Sequence, residues 1–352
     1  MNSDIFLQKK REAFDVIKNL DIQKEFKYGL HIRFDVPQTF TQFAEDTGNV
    51  TVLQAEKSQK LFNDSLWNNV SPLHSFTQSR VREVEYISIS KNGLHTIDIN
   101  HEDAKMYCIS VEKHVHATLF FHITKESPSA SFMGVDIRVI AEPHSYVKCV
   151  TVQQSENTHI LSLKQSYQKT QSRVEWFDLQ LGGLFVKSDI LSHLQEEGSS
   201  TIQKVLYAAK KTQAFDLYTA AIHANRQTES DILTRGVIGD SAKALSQGLV
   251  KIEQNAWNSQ GYETQDALLL SDTAEADAIP NLEIHNHDVS CSHGSTVGKI
   301  DEEQLFYMRS RGLPLNEAKL LIVKGYFTPI LEQITDTQIQ ESIEEMLDKK
   351  LV

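Results

Sequence analysis

The sequence predicts a mainly β chain, built as a solenoid of short strands with helical regions on either side. Three observations carry this. From about residue 80 the hydrophobic period is two, and well over a dozen short strand candidates follow without a convincing helix between them. Only 7 Pro occur in 352 residues, fewer turn residues than a sandwich or barrel of this length would need. The period is helical before the strands and again after residue 300.

The elements follow in order. In DIFLQKKREAFDVIKNL, residues Phe6, Ala13, Ile17 and Leu20 fall at helical spacing, and QAEKSQKLFNDSLWNNV is a second helical or mixed piece. Pro37 and Gly48 punctuate the chain between them, so residues 1–75 form an N-terminal helical or mixed region. EYISIS and HTIDIN then alternate around Asn92-Gly93, the residue pair of a tight hairpin turn. ATLFFHI, GVDIRVIAE, YVKCVTVQQ, HILSLKQ, RVEWFDLQL and GLFVKSDIL continue the pattern, and KVLYAAKK through NLEIHN complete a β core over residues 76–299. So many strands must close their edges, and a solenoid does so by stacking coils, leaving edges only at its ends.

Residues 300–352 form a C-terminal helical region. Asp301 is placed to cap a helix, with Glu302 and Glu303 favourable in its first turn and Gly312 beyond its end. Pro314 opens a second helix, LNEAKLLIVK, expected to end at Gly325. In the last helix Ile339, Ile343, Met346 and Leu347 make one stripe, which needs a covering surface from this chain or another.

Composition excludes several functions. A formal net charge of -12 argues against a nucleic-acid partner and against an anionic membrane surface. No apolar run reaches membrane-span length. Asp4, Glu12 and Asp15 make the N-terminus unlike a signal or transit peptide, so the expected compartment is the cytoplasm. Cys108, Cys149 and Cys291 are too few and too scattered for a disulfide framework; the first two read as buried strand residues. The chain has no phosphate-cradling loop, Gly182-Gly183 included, and no hydrolase, dinucleotide or zinc-protease motif. No carboxylate pair stands out for acid–base work.

The densest chemistry lies in HNHDVSCSHG, residues 285–294. A strand over 289–293 puts Val289, Cys291 and His293 on one face, with the last two ~7 Å apart at their Cα atoms. A closed zinc site would also need His285 and His287 to fold back through a sharp bend; as plain exposed histidines they need nothing. Cys291 with His293 is either a functional pair or a pair of structural residues. An autonomous metal-binding protein centred on 285–293 is therefore one reading. A secreted-type β-helix enzyme acting on polysaccharide is another, weakened by the N-terminus and by the C-terminal helices.

The stretch PNLEIHNHDVSCSHGSTVGKIDEEQLFYMRSRGLPLNEAKLLIVKGYF, residues 280–327, resembles the C-terminal signature of the SufB/SufD family. The similarity extends upstream through TQDALLLSDTAEADAIP and GVIGDSAKALSQGLVKIEQNA, to about residue 210. The resemblance implies a right-handed parallel β-helix and a non-enzymatic scaffold of the SUF iron–sulfur cluster assembly system. The implied partners are a SufB-like subunit, joined through the β-helix, and a SufC-type ABC ATPase on the C-terminal helices. Leu305, Phe306, Arg309, Leu320 and Ile322 are the expected ATPase-docking residues. Where SufB chains carry a cluster-building cysteine this chain has Ala274, and its Cys-Ser-His-Gly at 291–294 is SufD-like. Cys291 and His293 are accordingly expected at the partner interface, as shared ligands to a transient iron–sulfur cluster. No cluster is expected to be bound stably by the chain alone, and a homodimer in the absence of SufB is left open.

Overall fold

The computed structural model describes residues 51–53, 77–78 and 80–351. The helical region expected over 1–75 therefore lies outside the described residues, apart from one short strand. In chain order the strands are β1 (Thr51–Leu53), β2 (Val81–Ile89), β3 (Gly93–Ile99), β4 (Asp103–Val111), β5 (His116–Lys125) and β6 (Ser131–Ala141). They continue with β7 (Tyr146–Ser155), β8 (Thr158–Gln168), β9 (Arg173–Gln180), β10 (Phe185–Leu194), β11 (Ser200–Ala209) and β12 (Ala214–His223). The last are β13 (Glu229–Ile238), β14 (Lys243–Ile252), β15 (Ser259–Leu269), β16 (Glu275–Ile284) and β17 (Val289–Lys299). Three helices follow: α1 (Glu302–Ser310), α2 (Leu315–Leu331) and α3 (Thr337–Leu351).

From β2 onward successive strands lie in opposite sheets. One sheet has the order β1-β2-β4-β6-β8-β10-β12-β14-β16 and the other β17-β15-β13-β11-β9-β7-β5-β3. Every pairing is parallel: Ser200 lies beside Glu229 on the next coil, and Lys243 beside Glu275. This is a two-sheet parallel β-solenoid. The hairpin expected at Asn92-Gly93 does not form. β2 and β3 belong to different sheets, and Gly93, at φ 134, carries the chain across between them. The alternating pattern is the same for a hairpin and for a coil, so the period alone could not tell them apart.

The turns explain the scarcity of Gly and Pro. On one edge of the solenoid His114, His144, Gln171, Gly198, Gln227 and Asn258 occupy successive turns, all at positive φ. Each donates its backbone N–H to a carbonyl of the next coil, respectively Pro143, Thr170, Glu197, Arg226, Trp257 and Asp288, over 2.7–3.3 Å. That ladder holds non-glycine residues in a conformation costing about 1–2 kcal/mol each. The His114 and His144 rings stack above it, centroids 5.0 Å apart. Gly182 is a different case: a Cβ there would collide with the Ser155 backbone on the preceding coil.

The lumen between the sheets begins apolar, with Ile109, Phe121, Val135, Ile137 and Trp176 buried. It becomes polar in the middle coils. Lys164 is fully buried, 3.0 Å from Asp178, and also bonds the Ser188 hydroxyl at 2.7 Å. Further on, His223 is clasped by Thr228 and Ser230 at 2.8 Å each, and burial pushes its pKa down to about 4, so it stays neutral.

Asp301 caps α1 as expected, accepting from the backbone N–H groups of Glu303 and Gln304. α2 runs through Gly325 and Pro329 to Leu331. The expected stop at Gly325 is overridden because Phe327, Ile330 and Leu331 are buried against the solenoid. The α3 stripe is covered by the protein itself. Ile339, Ile343 and Leu347 join Val323 and Phe327 in one cluster with Val150, Phe177, Leu179, Leu206 and Val237 from β7, β9, β11 and β13. No described helix is long and apolar enough to cross a membrane.

The turn ladder makes a prediction at Gln227. Gln227→Gly should leave stability unchanged or raise it slightly, since glycine meets positive φ without strain. Gln227→Val should lower it by about 1–2 kcal/mol, because a β-branched side chain resists that backbone. Urea denaturation of the two variants beside the parent protein checks this, and equal loss in both would remove the strain argument.

Candidate functional site

β16 and β17 are the last strands of their sheets, each paired on one side only among the described residues. Their outer backbone donors and acceptors therefore form an open edge. β17 is largely exposed and β16 mostly half-buried, unlike the nearly fully buried β8 or β10. The turn joining them is the 285–288 part of the histidine-rich stretch. His285 and His287 are exposed. The residue between them, Asn286, is 5% exposed and anchors the turn. Its Nδ2 donates to the Gln254 carbonyl at 2.8 Å, and its Oδ1 accepts from the Asp288 N–H at 2.8 Å. Sequence reading passed over Asn286, although an Asn before Asp in a turn is a known local hydrogen-bonding pattern.

Cys291 and His293 lie on β17 at alternate positions and so share one face. That face is the inward one. Cys291 packs against a cluster of Ala221, Ile232, Val250, Ile252 and Ala256, and burial raises the pKa of its thiol. His293 is exposed, because no further coil covers it. Cys108 and Cys149 are fully buried strand residues whose thiols are pushed far up by desolvation.

The strand register brings a residue to this face that the sequence did not single out. Gly261 of β15 lies beside Cys291, and Glu263 beside His293. Glu263 is 2% exposed. Its Oε1 accepts from Gln265 Nε2 at 2.6 Å, and its Oε2 makes no hydrogen bond among the described residues. Desolvation pushes its pKa up to about 7, against the lowering influence of Gln265 and of the Asn281 backbone amide. Gly248 across the lumen makes room for this side chain; a Cβ there would collide with its Oε1. Nothing in the spacing around QGYETQD marks Glu263, since its neighbours His293 and Gly248 are distant in sequence. Among the described residues no group of three or more His, Cys, Asp or Glu side chains stands ready to hold a metal ion.

The second candidate surface lies on the helices. Phe306 is 74% exposed, and Tyr307, Leu315 and Leu321 are exposed as well. Phe306 and Arg309 line a groove between α1 and α2 with Ser310, Gly312, Leu313, Pro314 and Leu315. Of the residues expected to dock a partner, Leu305 is instead buried, and Leu320 and Ile322 are half-buried. A helical apolar pattern cannot distinguish the face turned to the solenoid from the face turned to solvent when both carry large side chains.

Residues 48–326 match the family described as SUF system FeS cluster assembly, SufBD core domain. The chain is 32% identical over 171 residues to the iron–sulfur cluster assembly protein SufD of Escherichia coli, covering 49% of this chain and 40% of that protein. It is 30% identical over 184 residues to the protein of the same name in Bacillus subtilis, covering 51% and 41%. A SufBD family protein of Mycobacterium leprae is 29% identical over 208 residues, covering 58% of this chain and 24% of that protein. The matched stretches thus span less than half of each relative's own length.

Glu263 makes the open end pH-sensitive. A carboxyl whose folded pKa is raised favours the protonated form, so its contribution is best below the ordinary value of 4.5 and is lost as pH rises towards about 7. The loss should be on the order of 3 kcal/mol. Glu263→Gln should remove this drop and be the more stable protein at pH 8. Denaturant melts of both proteins between pH 5 and 8 measure the difference, and parallel curves would count against it.

Proposed function

Because the chain belongs to the SufBD family of the SUF system for iron–sulfur cluster assembly, we propose that it is a SufD-like scaffold subunit and not an enzyme. One observation carries the reading: the solenoid ends in an edge strand, β17, with one side open and bearing exposed His293 with Cys291 on the same face. An open strand edge is a template for strand addition. A SufB-like chain joins there, continuing the sheets, and when it is absent a second copy of this chain takes the same edge. The partner supplies the sulfur-accepting cysteine, because the position expected to hold one here is Ala274, a small buried side chain.

The nascent cluster is cargo formed between the two chains and is not held stably by this one. His293 contributes an imidazole nitrogen to iron. Cys291 is a second donor once the interface closes over it. ATP hydrolysis belongs to a SufC-type ABC ATPase that docks on the exposed side of α1 and the start of α2. Phe306, Arg309 and Leu315 form that contact. The assembly works in the cytoplasm, with no part for nucleic acid or membrane.

Reconstitution of the complex with SufB-like and SufC-type partners tests both surfaces. His293→Ala should leave the complex assembled and slow cluster formation at least tenfold, whereas His285→Ala should change little. Wild-type rates for His293→Ala would make that residue structural and defeat the reading. Deleting the helices is a poor test of ATPase docking, because it would uncover Val150, Phe177 and Leu206 of the solenoid. The paired substitutions Phe306→Ser and Leu315→Ser are cleaner, since both side chains are exposed. The doubly substituted chain should separate from the ATPase in gel filtration, and co-elution would place the docking surface elsewhere.

A further inference from the structure

Each buried lysine among the described residues has a carboxylate beside it. Lys125 lies 3.0 Å from Glu102, Lys148 3.7 Å from Glu175 and Lys164 3.0 Å from Asp178. Lys187 sits between Asp189 and Asp216 at 2.9 and 2.8 Å, and Lys204 pairs with Asp231. Lys350, half-buried in the last turn of α3, departs from this pattern. Its Nζ donates to a neutral acceptor, Gln213 Oε1, at 2.7 Å, and among the described residues no carboxylate pairs with it.

The helix face explains its position. Leu347, three residues earlier, is buried against the solenoid, so the same face carries Lys350 inward. There it meets the turn between β11 and β12, where Gln213 is held firmly. The Gln213 Nε2 donates to the Gly183 carbonyl at 2.7 Å, and its Oε1 also accepts from the Lys210 N–H at 2.9 Å. Lys210 and Lys211 stand on that turn, and both oppose a charge on Lys350. Glu156, between β7 and β8, favours the charge, and Asp240 is engaged by the Lys211 N–H at 2.8 Å. Burial first, and then Lys210, lower the pKa of the Lys350 amine to about 8, although a helix C-terminus by itself favours a cation. Its neighbour Lys349 is exposed and bonded to Glu345 at 2.7 Å.

A desolvated amine beside other cations is a nucleophile near neutral pH. We infer that Lys350 is a modification site, an amine that takes an acyl group from an acyl phosphate. The neutral Nζ attacks the acyl carbonyl carbon and forms an amide bond. The carbon–oxygen bond to phosphate breaks, inorganic phosphate leaves with the electron pair, and the nitrogen gives its surplus proton to water. Lys210 and Lys211 favour an anionic donor over an uncharged one.

The test incubates the full chain with acetyl phosphate and follows both lysines by mass spectrometry. Cleavage after Glu345 leaves Lys349 and Lys350 in one peptide, where fragmentation tells them apart. Near neutral pH, Lys350 should be acetylated about tenfold faster than Lys349, and its rate should level off above a pH of about 8 while that of Lys349 keeps rising. Lys210→Gln should keep its fold by circular dichroism, slow Lys350 by about threefold and leave Lys349 unchanged. With p-nitrophenyl acetate, an uncharged donor, the slowing should be smaller. Equal rates at the two lysines, or a Lys350 rate indifferent to Lys210→Gln, would overturn the site. An equal slowing with both donors would overturn the acyl phosphate as its donor.

Discussion

In-register stacking of coils is the constraint on which everything else in this molecule depends. From β2 onward, strands pair with those two places away in sequence, and a slip of one residue would turn every lumen side chain outward. The register is pinned at the turns, where the N–H of a positive-φ residue reaches a carbonyl one coil further on. The strained backbone and the ladder support each other: without the hydrogen bonds the conformation would relax, and without the conformation the N–H would point elsewhere. The ladder runs as far as Asp288, so the same device that stacks the core also positions the histidine-rich turn and the strand after it.

The lumen shows what this regularity permits. A solenoid interior can change chemistry from coil to coil, because each layer packs only against its neighbours. Apolar layers around Phe121 and Trp176 give way to the Lys164–Asp178 pair and then to His223 with its two hydroxyl partners. Each of these polar layers is internally satisfied. Glu263, in the last layer before the opening, is the exception: it is a buried carboxylate with no cation beside it among the described residues.

The period-two pattern from residue 80 and the helical period after 300 were legible, and with them the fold class, because burial on alternate sides leaves a direct mark on sequence. The coil boundaries were not. Gln171, Lys211 and Gln227 hold left-handed turns without being the residues that usually announce them. Asn92-Gly93 does announce a hairpin, yet the chain crosses between sheets there. At the site, Cys291 and His293 stood out through local crowding of metal-ligating residues. Glu263 and Gly248 could not, since what matters about them is a neighbour far away in sequence. The same limit applied to the helices: Leu305 and Phe306 are equally apolar, and only the docked structure separates the buried one from the exposed one.

The helices have a mechanical consequence. They do not lie on a single coil. Lys148 of β7 bonds the Gln333 carbonyl at 3.0 Å, Arg235 of β13 bonds the Tyr326 carbonyl at 2.9 Å and covers its ring, and Lys319 of α2 bonds the Leu270 carbonyl just past β15 at 3.0 Å. Fastened at these points, α2 and the segment after it act as a splint across the coils from β7 to β15. A pull on the helices is then shared in shear by many strand pairings at once, and no single pairing is peeled open. The coil made by β16 and β17 lies beyond the last fastening, which leaves it free to yield while the body of the solenoid stays stiff.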